Sequence, residues 1–171
     1  MPRDWRAGPV ALPIILRPAE LLEVVEGARL QVERPLKSRS LNHSPELAVE
    51  AMSHPLGFWD LYAPGMKCVA SLYPPYMVGD TLWVRERWGW RRVGNNFGRK
   101  GTKDVVVERA VPVGRRHRLQ GWGPPKTMPR EAAQLELTVT ACQAVLVAHR
   151  SWVWRTSFTV QQVKPAGWVL A

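Results

Sequence analysis

Fifteen prolines and thirteen glycines punctuate these 171 residues at short intervals, among them Pro64–Gly65, Pro74–Pro75, Gly79 and the run Gly121–Pro125. Each proline fixes φ and removes a backbone donor, and each glycine weakens a helix interior. Their spacing therefore leaves no room for long helices and favours short strands joined by turns. The longest uninterrupted segments carry the period of a strand. "QLELTVTACQAVLV" (Gln134 to Val147) and "SWVWRTSFTVQQV" (Ser151 to Val163) alternate along most of their length, predicting two long strands near the end of the chain.

The rest of the pattern is shorter. "ALPIILR" (Ala11 to Arg17) predicts a first strand, and "AELLEVVEG" (Ala19 to Gly27), opening after a proline and stopping at a glycine, predicts a short helix. "ARLQVERP" reads as strand or extended turn, with Arg29, Gln31 and Glu33 sharing a face. From Leu36 to Pro64 the pattern is weak; Ser44 and Pro45 suggest one helix over "SPELAVEAM". "MKCVASLY", "DTLWVRERW" and "DVVVERAVPV" predict further strands, "RRHRLQGWGPPKTMPREAA" an irregular segment ending in a helical turn. Strand, helix, then many strands suggests an α+β fold: a small mixed β-barrel with short helices at its rim.

Length and an apolar share of 46% against 22% charged residues predict a single globular domain over residues 11–171, preceded by an arm over residues 1–10. No apolar run approaches the roughly 20 residues that cross a bilayer, and the opening residues lack a signal-like apolar core, so a cytoplasmic protein without a membrane partner is expected. Cys68 and Cys142 form no CxxC, and the four histidines lack ligand spacing. Neither a metal nor a cofactor is expected.

Charge is distributed unevenly. From Arg85 to Arg118 stand eleven basic residues against three acids, a net +8 of the chain's +10. Within and just before that segment, "GDTLWVRERWGWRR" crowds four arginines and three tryptophans around one glutamate. Phosphate backbones reward clustered cations through counterion release, and bases stack on indoles. Nucleic acid is the partner this composition points to. On an alternating strand Leu82, Val84, Glu86 and Trp88 share one face while Trp83, Arg85 and Arg87 share the other, so Glu86 is the charge that turns inward. Trp83 and Trp88 suit packing; Trp90, beside Arg91 and Arg92, suits stacking, as does Trp122. Arg85, Arg87, Arg91, Arg92, Arg99, Lys100, Lys103, Arg115, Arg116 and Arg118 are the candidate phosphate contacts.

Four segments in order, "ILRPAELLEVVEGARLQVERP", "GDTLWVRERW", "MPREAAQLELTVT" and "SWVWRTSF", resemble the ASCH-type proteins of the PUA-like superfamily, in particular the longer forms of phages and prophages. The resemblance spans Ile14 to Val163. It implies a barrel of about five or six strands with a cleft that holds RNA or modified bases, and a bacterial cytoplasm as its setting. Relatives with known chemistry hydrolyse N4-acetylcytidine with a Lys, a Thr and a Glu. Carried onto this chain, the Glu falls on Glu86, the Lys on Arg29 and the Thr on Val32. Valine has no hydroxyl and arginine stays protonated, so amide hydrolysis by that route is not expected.

What remains is a binding site. Arg29 and Glu86 would face each other across the cleft and hold a base, RNA ahead of DNA, or a nucleoside, with Trp90, Arg34 and Arg130 around it; Glu86 would be catalytic only in an amidohydrolase. A third reading is a phage-encoded protein that blocks a host nucleic-acid-dependent defence factor, with a host protein as its partner.

Overall fold

A computed structural model describes residues 8–36, 47–93, 102–107, 120–147 and 151–163. The fold is mostly β with one short helix. In chain order the elements are β1 (Ala11–Ile15), α1 (Pro18–Val25), β2 (Gln31–Pro35), β3 (Glu50–Ser53), β4 (Trp59–Ala63), β5 (Lys67–Leu72), β6 (Thr81–Arg85), β7 (Trp88–Val93), β8 (Thr102–Val107), β9 (Gln120–Gly123), β10 (Leu135–Val147) and β11 (Ser151–Val163). Two 3₁₀ turns, Pro125–Thr127 and Arg130–Ala132, precede β10. A five-stranded mixed sheet has the order β1-β6-β10-β11-β2, and two three-stranded sheets the orders β3-β4-β5 and β8-β7-β9. Among the described residues no closed barrel forms, nor is any helix long and apolar enough to cross a membrane.

The chain divides into two compact units, one of Met1–Val10, Ala28–Thr81 and Thr138–Thr159, the other of Ala11–Gly27, Leu82–Leu137 and Val160–Ala171. In the first unit β3, β4 and β5 form an antiparallel meander, with Met52 opposite Asp60 and Leu61 opposite Ala70. Leu61 and Ala70 join Ala48, Ala144, Trp152 and Trp154 in its core. The Trp152 indole satisfies its N–H on the Ala48 carbonyl at 3.2 Å, so a large ring is buried without an orphaned donor.

Asp80 organises the entry to β6. It is fully buried, and its carboxylate accepts from the Val10 N–H at 3.0 Å and from the Met77 N–H at 2.8 Å. Its own carbonyl accepts from the Val139 N–H at 2.9 Å. Gly79 precedes it at φ +89°, where a Cβ would also meet Pro9 Cγ at 3.2 Å, so glycine is required on both counts. The "GD" that opens the tryptophan-rich motif is thus a tie between three backbone segments.

In the second unit α1 begins where the sequence predicts. Pro18 occupies its first turn and Glu20, itself buried, accepts from the Arg17 N–H at 2.8 Å. Val24 is its buried apolar contact, and Gly27 ends it at φ +73°. A second core gathers Trp83, Met128, Ala132 and Ala133, with Ala11 and Trp88 packed against it.

Four expectations need correction. The helix proposed over residues 44–52 is absent from its described part: Glu50–Ser53 is strand, because Ala51 packs into the meander core and pairing with β4 outweighs a local start signal. β4 itself lies where no strand was expected, and Gln120–Gly123 is a strand within the segment read as irregular. Residues 80–88 are not one strand: β6 ends at Arg85 and β7 begins at Trp88.

Candidate nucleic-acid interface

β6 is buried on both faces. Leu82 and Val84 are inaccessible on one side and Trp83 is 7% exposed on the other, so the strand is a wall of the second unit's core from Leu82 onward. Arg85, two residues beyond Trp83 and on its face, lays its guanidinium over the indole, with Cζ 4.5 Å from the ring centroid. The Nε of Arg85 is buried and has no hydrogen-bond partner among the described residues. A buried donor left unmatched costs about 1–3 kcal/mol, so the position is maintained against a penalty.

Glu86 follows just past the end of β6, 4% exposed; β6 is buried on both faces, so alternation does not account for that burial. Its backbone N–H lies 3.1 Å from Met128 Sδ. Arg87 is exposed, and Arg130 is exposed in the second 3₁₀ turn.

The β8-β7-β9 sheet holds Arg91, Arg92 and Lys103 of the basic segment. Register sets Trp88 opposite Val107, Trp90 opposite Val105, Arg91 opposite Asp104 and Arg92 opposite Lys103.

Trp88 is fastened at the start of β7. Its indole N–H lies 3.2 Å from Thr127 Oγ1, and Gly123, opposite it on β9, leaves the room it needs: a Cβ there would come within 2.8 Å of Nε1. Arg99, Lys100, Arg115, Arg116 and Arg118 lie outside the described residues.

The candidate base-binding residues divide between the units. Glu86, Trp90 and Arg130 belong to the second, Arg29 and Arg34 to the first. Arg29 is half-buried before β2, and Arg34 donates from Nη1 to the Glu33 carbonyl at 2.9 Å. Glu33, expected to share a face with Arg29, is engaged by Arg155 directly across from it, with Nη2 and Nε at 2.7 and 2.8 Å from Oε1. Val32, where the resemblance calls for a threonine, is 1% exposed and sits opposite the buried Thr156.

Sequence reading missed one polar cluster in the first unit. Burial pushes the Tyr76 phenol up, and the Arg34 guanidinium partly offsets that rise. Burial also pushes the Cys142 thiol up, against the hydrogen bond it shares with Thr156 at 3.4 Å and one with the Tyr76 backbone. Cys142 and Thr156 are 14 residues apart on the neighbouring strands β10 and β11, whereas Arg34 and Tyr76 come from distant stretches. Among the described residues no three histidine, cysteine or acidic side chains group as a metal site. No family model, curated protein or solved structure matches the chain.

Proposed function

We propose that this protein binds nucleic acid, RNA ahead of DNA, through the second unit, without the amide hydrolysis known in ASCH proteins. The observation that carries the reading is Arg85: a guanidinium over the Trp83 indole, with a buried Nε that has no hydrogen-bond partner among the described residues. Stacking on an indole is how an arginine is held rigid while its in-plane donors stay aimed at a phosphate or a base edge. The exposed Arg87 and the Arg92–Lys103 rung extend the same charge. Val32, deep in β2, brings no hydroxyl for acyl transfer.

The ASCH-type barrel belongs to this proposal. What supports it is the order of the four motif segments, and the structure of the Gly79–Asp80 turn gives that motif a physical reason.

The test is a salt titration by fluorescence anisotropy with labelled oligonucleotides. Four phosphate contacts, at Arg85, Arg87, Arg92 and Lys103, predict a log–log slope of about −3 to −4. An affinity that holds constant between about 50 and 200 mM salt contradicts phosphate binding.

A further inference from the structure

We infer that β3 pairs edge to edge with β3 of a second copy of this chain, antiparallel and centred on Met52, so that the protein self-associates through its first unit. The inference stands apart from the nucleic-acid reading, which concerns the second unit.

β3 lies at the edge of the β3-β4-β5 sheet. The His54 N–H donates to the Phe58 carbonyl at 2.8 Å, which fixes the even-numbered residues as those that bond to β4. Ala51 and Ser53 therefore direct their N–H and C=O groups to the other side, where no strand meets them among the described residues. Such an edge is a template for another strand unless something blunts it. Two other edge strands of the first unit are blunted. On β2 the even residues bond to β11, so the odd ones face outward: Pro35 has no N–H, and the Glu33 carbonyl accepts from Arg34 Nη1 at 2.9 Å. β5 carries Lys67 and a bulge, since Leu61 faces Ala70 and Tyr62 faces Cys68 with Val69 left over. β3 has no proline, lysine or register shift, and Glu50, Met52 and Ser53 are exposed.

The residues along this edge say what fits it. Glu50-Ala51-Met52-Ser53-His54 reads acid, small, apolar, small, imidazole, and is complementary to itself when reversed. Centred on Met52, an antiparallel pair sets Glu50 against the second copy's His54, Ala51 against its Ser53 and Met52 against its Met52. The Ala51–Ser53 rungs exchange the backbone bonds, and the Met52 rung between them brings its Cα atoms to about 4.5 Å. His54 is prepared for its part: its ring stacks on Phe58 at 4.2 Å, and Nδ1 accepts from the Leu56 N–H at 3.2 Å, which leaves Nε2 to donate to a carboxylate. Two-fold symmetry makes the Glu50–His54 contact twice. Centring the pair on Ala51 or Ser53 loses both of those contacts, so charge selects the Met52 register.

Disulfide trapping reads that register directly, in a Cys68→Ser background because Cys68 is exposed. Met52→Cys should crosslink to a dimer under mild oxidation, since opposed Cα atoms at about 4.5 Å fall within the roughly 4.4–6.8 Å a disulfide spans. Glu50→Cys should not, because its counterpart lies four residues along the partner strand, roughly 13 Å away. Sedimentation equilibrium of the unaltered chain, in salt that screens the +10 charge on each copy, should show a mass rising toward twice the monomer with concentration. Met52→Lys, at an exposed site, sets two ammonium groups opposite each other and should weaken association by about 3- to 30-fold. A mass of one chain at every concentration overturns the inference and needs no variant to fold. Crosslinking of Glu50→Cys as readily as Met52→Cys, or a dimer that Met52→Lys leaves unchanged, puts the contact elsewhere and overturns it as well.

Discussion

Replacing Arg85 by methionine separates a binding role from a structural one. In the free protein two effects oppose. The contact over Trp83 contributes roughly 0.5–2 kcal/mol, depending on how far the pair is desolvated. The unbonded, buried Nε costs about 1–3 kcal/mol. Methionine keeps an unbranched stem over the ring, adds a sulfur–aromatic contact of about 0.3–1.5 kcal/mol, and carries no donor to orphan. Arg85→Met should therefore change stability by anything from a loss of about 1 kcal/mol to a gain of a few, measured by urea denaturation. Affinity should fall by about 10- to 150-fold, because the lost hydrogen bonds to a charged phosphate are worth roughly 1.5–3 kcal/mol. Arg85→Lys should not restore it, since a point charge cannot replace a stacked, planar fork. Destabilisation beyond about 2 kcal/mol with unchanged affinity would refute the reasoning and make Arg85 a packing residue.

Two further predictions concern the first unit. Asp80→Asn keeps the shape but turns an amide N–H toward one of the two backbone donors, removing one charge-assisted bond and weakening the other; the expected loss is about 2–4 kcal/mol, seen by scanning calorimetry as a melting point lower by about 5–15 °C. A change under about 2 °C would contradict the tie described for the Gly79–Asp80 turn. The Cys142 thiol, raised by burial, stays protonated in the folded state at a pH where the unfolded chain releases its proton. Its contribution is fully present below the ordinary thiol range and declines as pH rises from that range toward the folded value. Urea midpoints of the native protein should fall faster above about pH 8.5 than those of Cys142→Ala, and parallel curves would exclude the effect.

The elements legible in the sequence are those whose own apolar period matches their final burial. β10 shows it most plainly, with Leu135, Leu137 and Val139 all buried; α1 adds a proline at its start and a glycine past its end. Elements that owe their form to a distant partner were not legible. β3 carries a helix start signal upstream, yet Ala51 is strand because Leu61 and Ala70 form the core it meets. β9 has no alternation to read in "QGWG"; Gly123 is there for the Trp88 indole, a requirement invisible until the two strands are paired. In the candidate site the local period explains less: Glu86 is buried, but Trp83 in the opposite phase is buried too and the strand ends at Arg85. The Tyr76–Cys142–Thr156 cluster beside Arg34 joins Cys142 and Thr156, 14 residues apart on neighbouring strands, to two residues more than sixty positions earlier, and no spacing rule reports that second step.

Charge shows most clearly what register adds to composition. The run from Arg85 to Arg118 marks its cations as equivalent, since a count of +8 assigns no direction to any of them. Pairing breaks that equivalence. Arg91 meets Asp104 across the ladder, while one residue later Arg92 meets Lys103. Two adjacent arginines of one strand therefore have register partners of opposite charge, a distinction that no count over the segment contains.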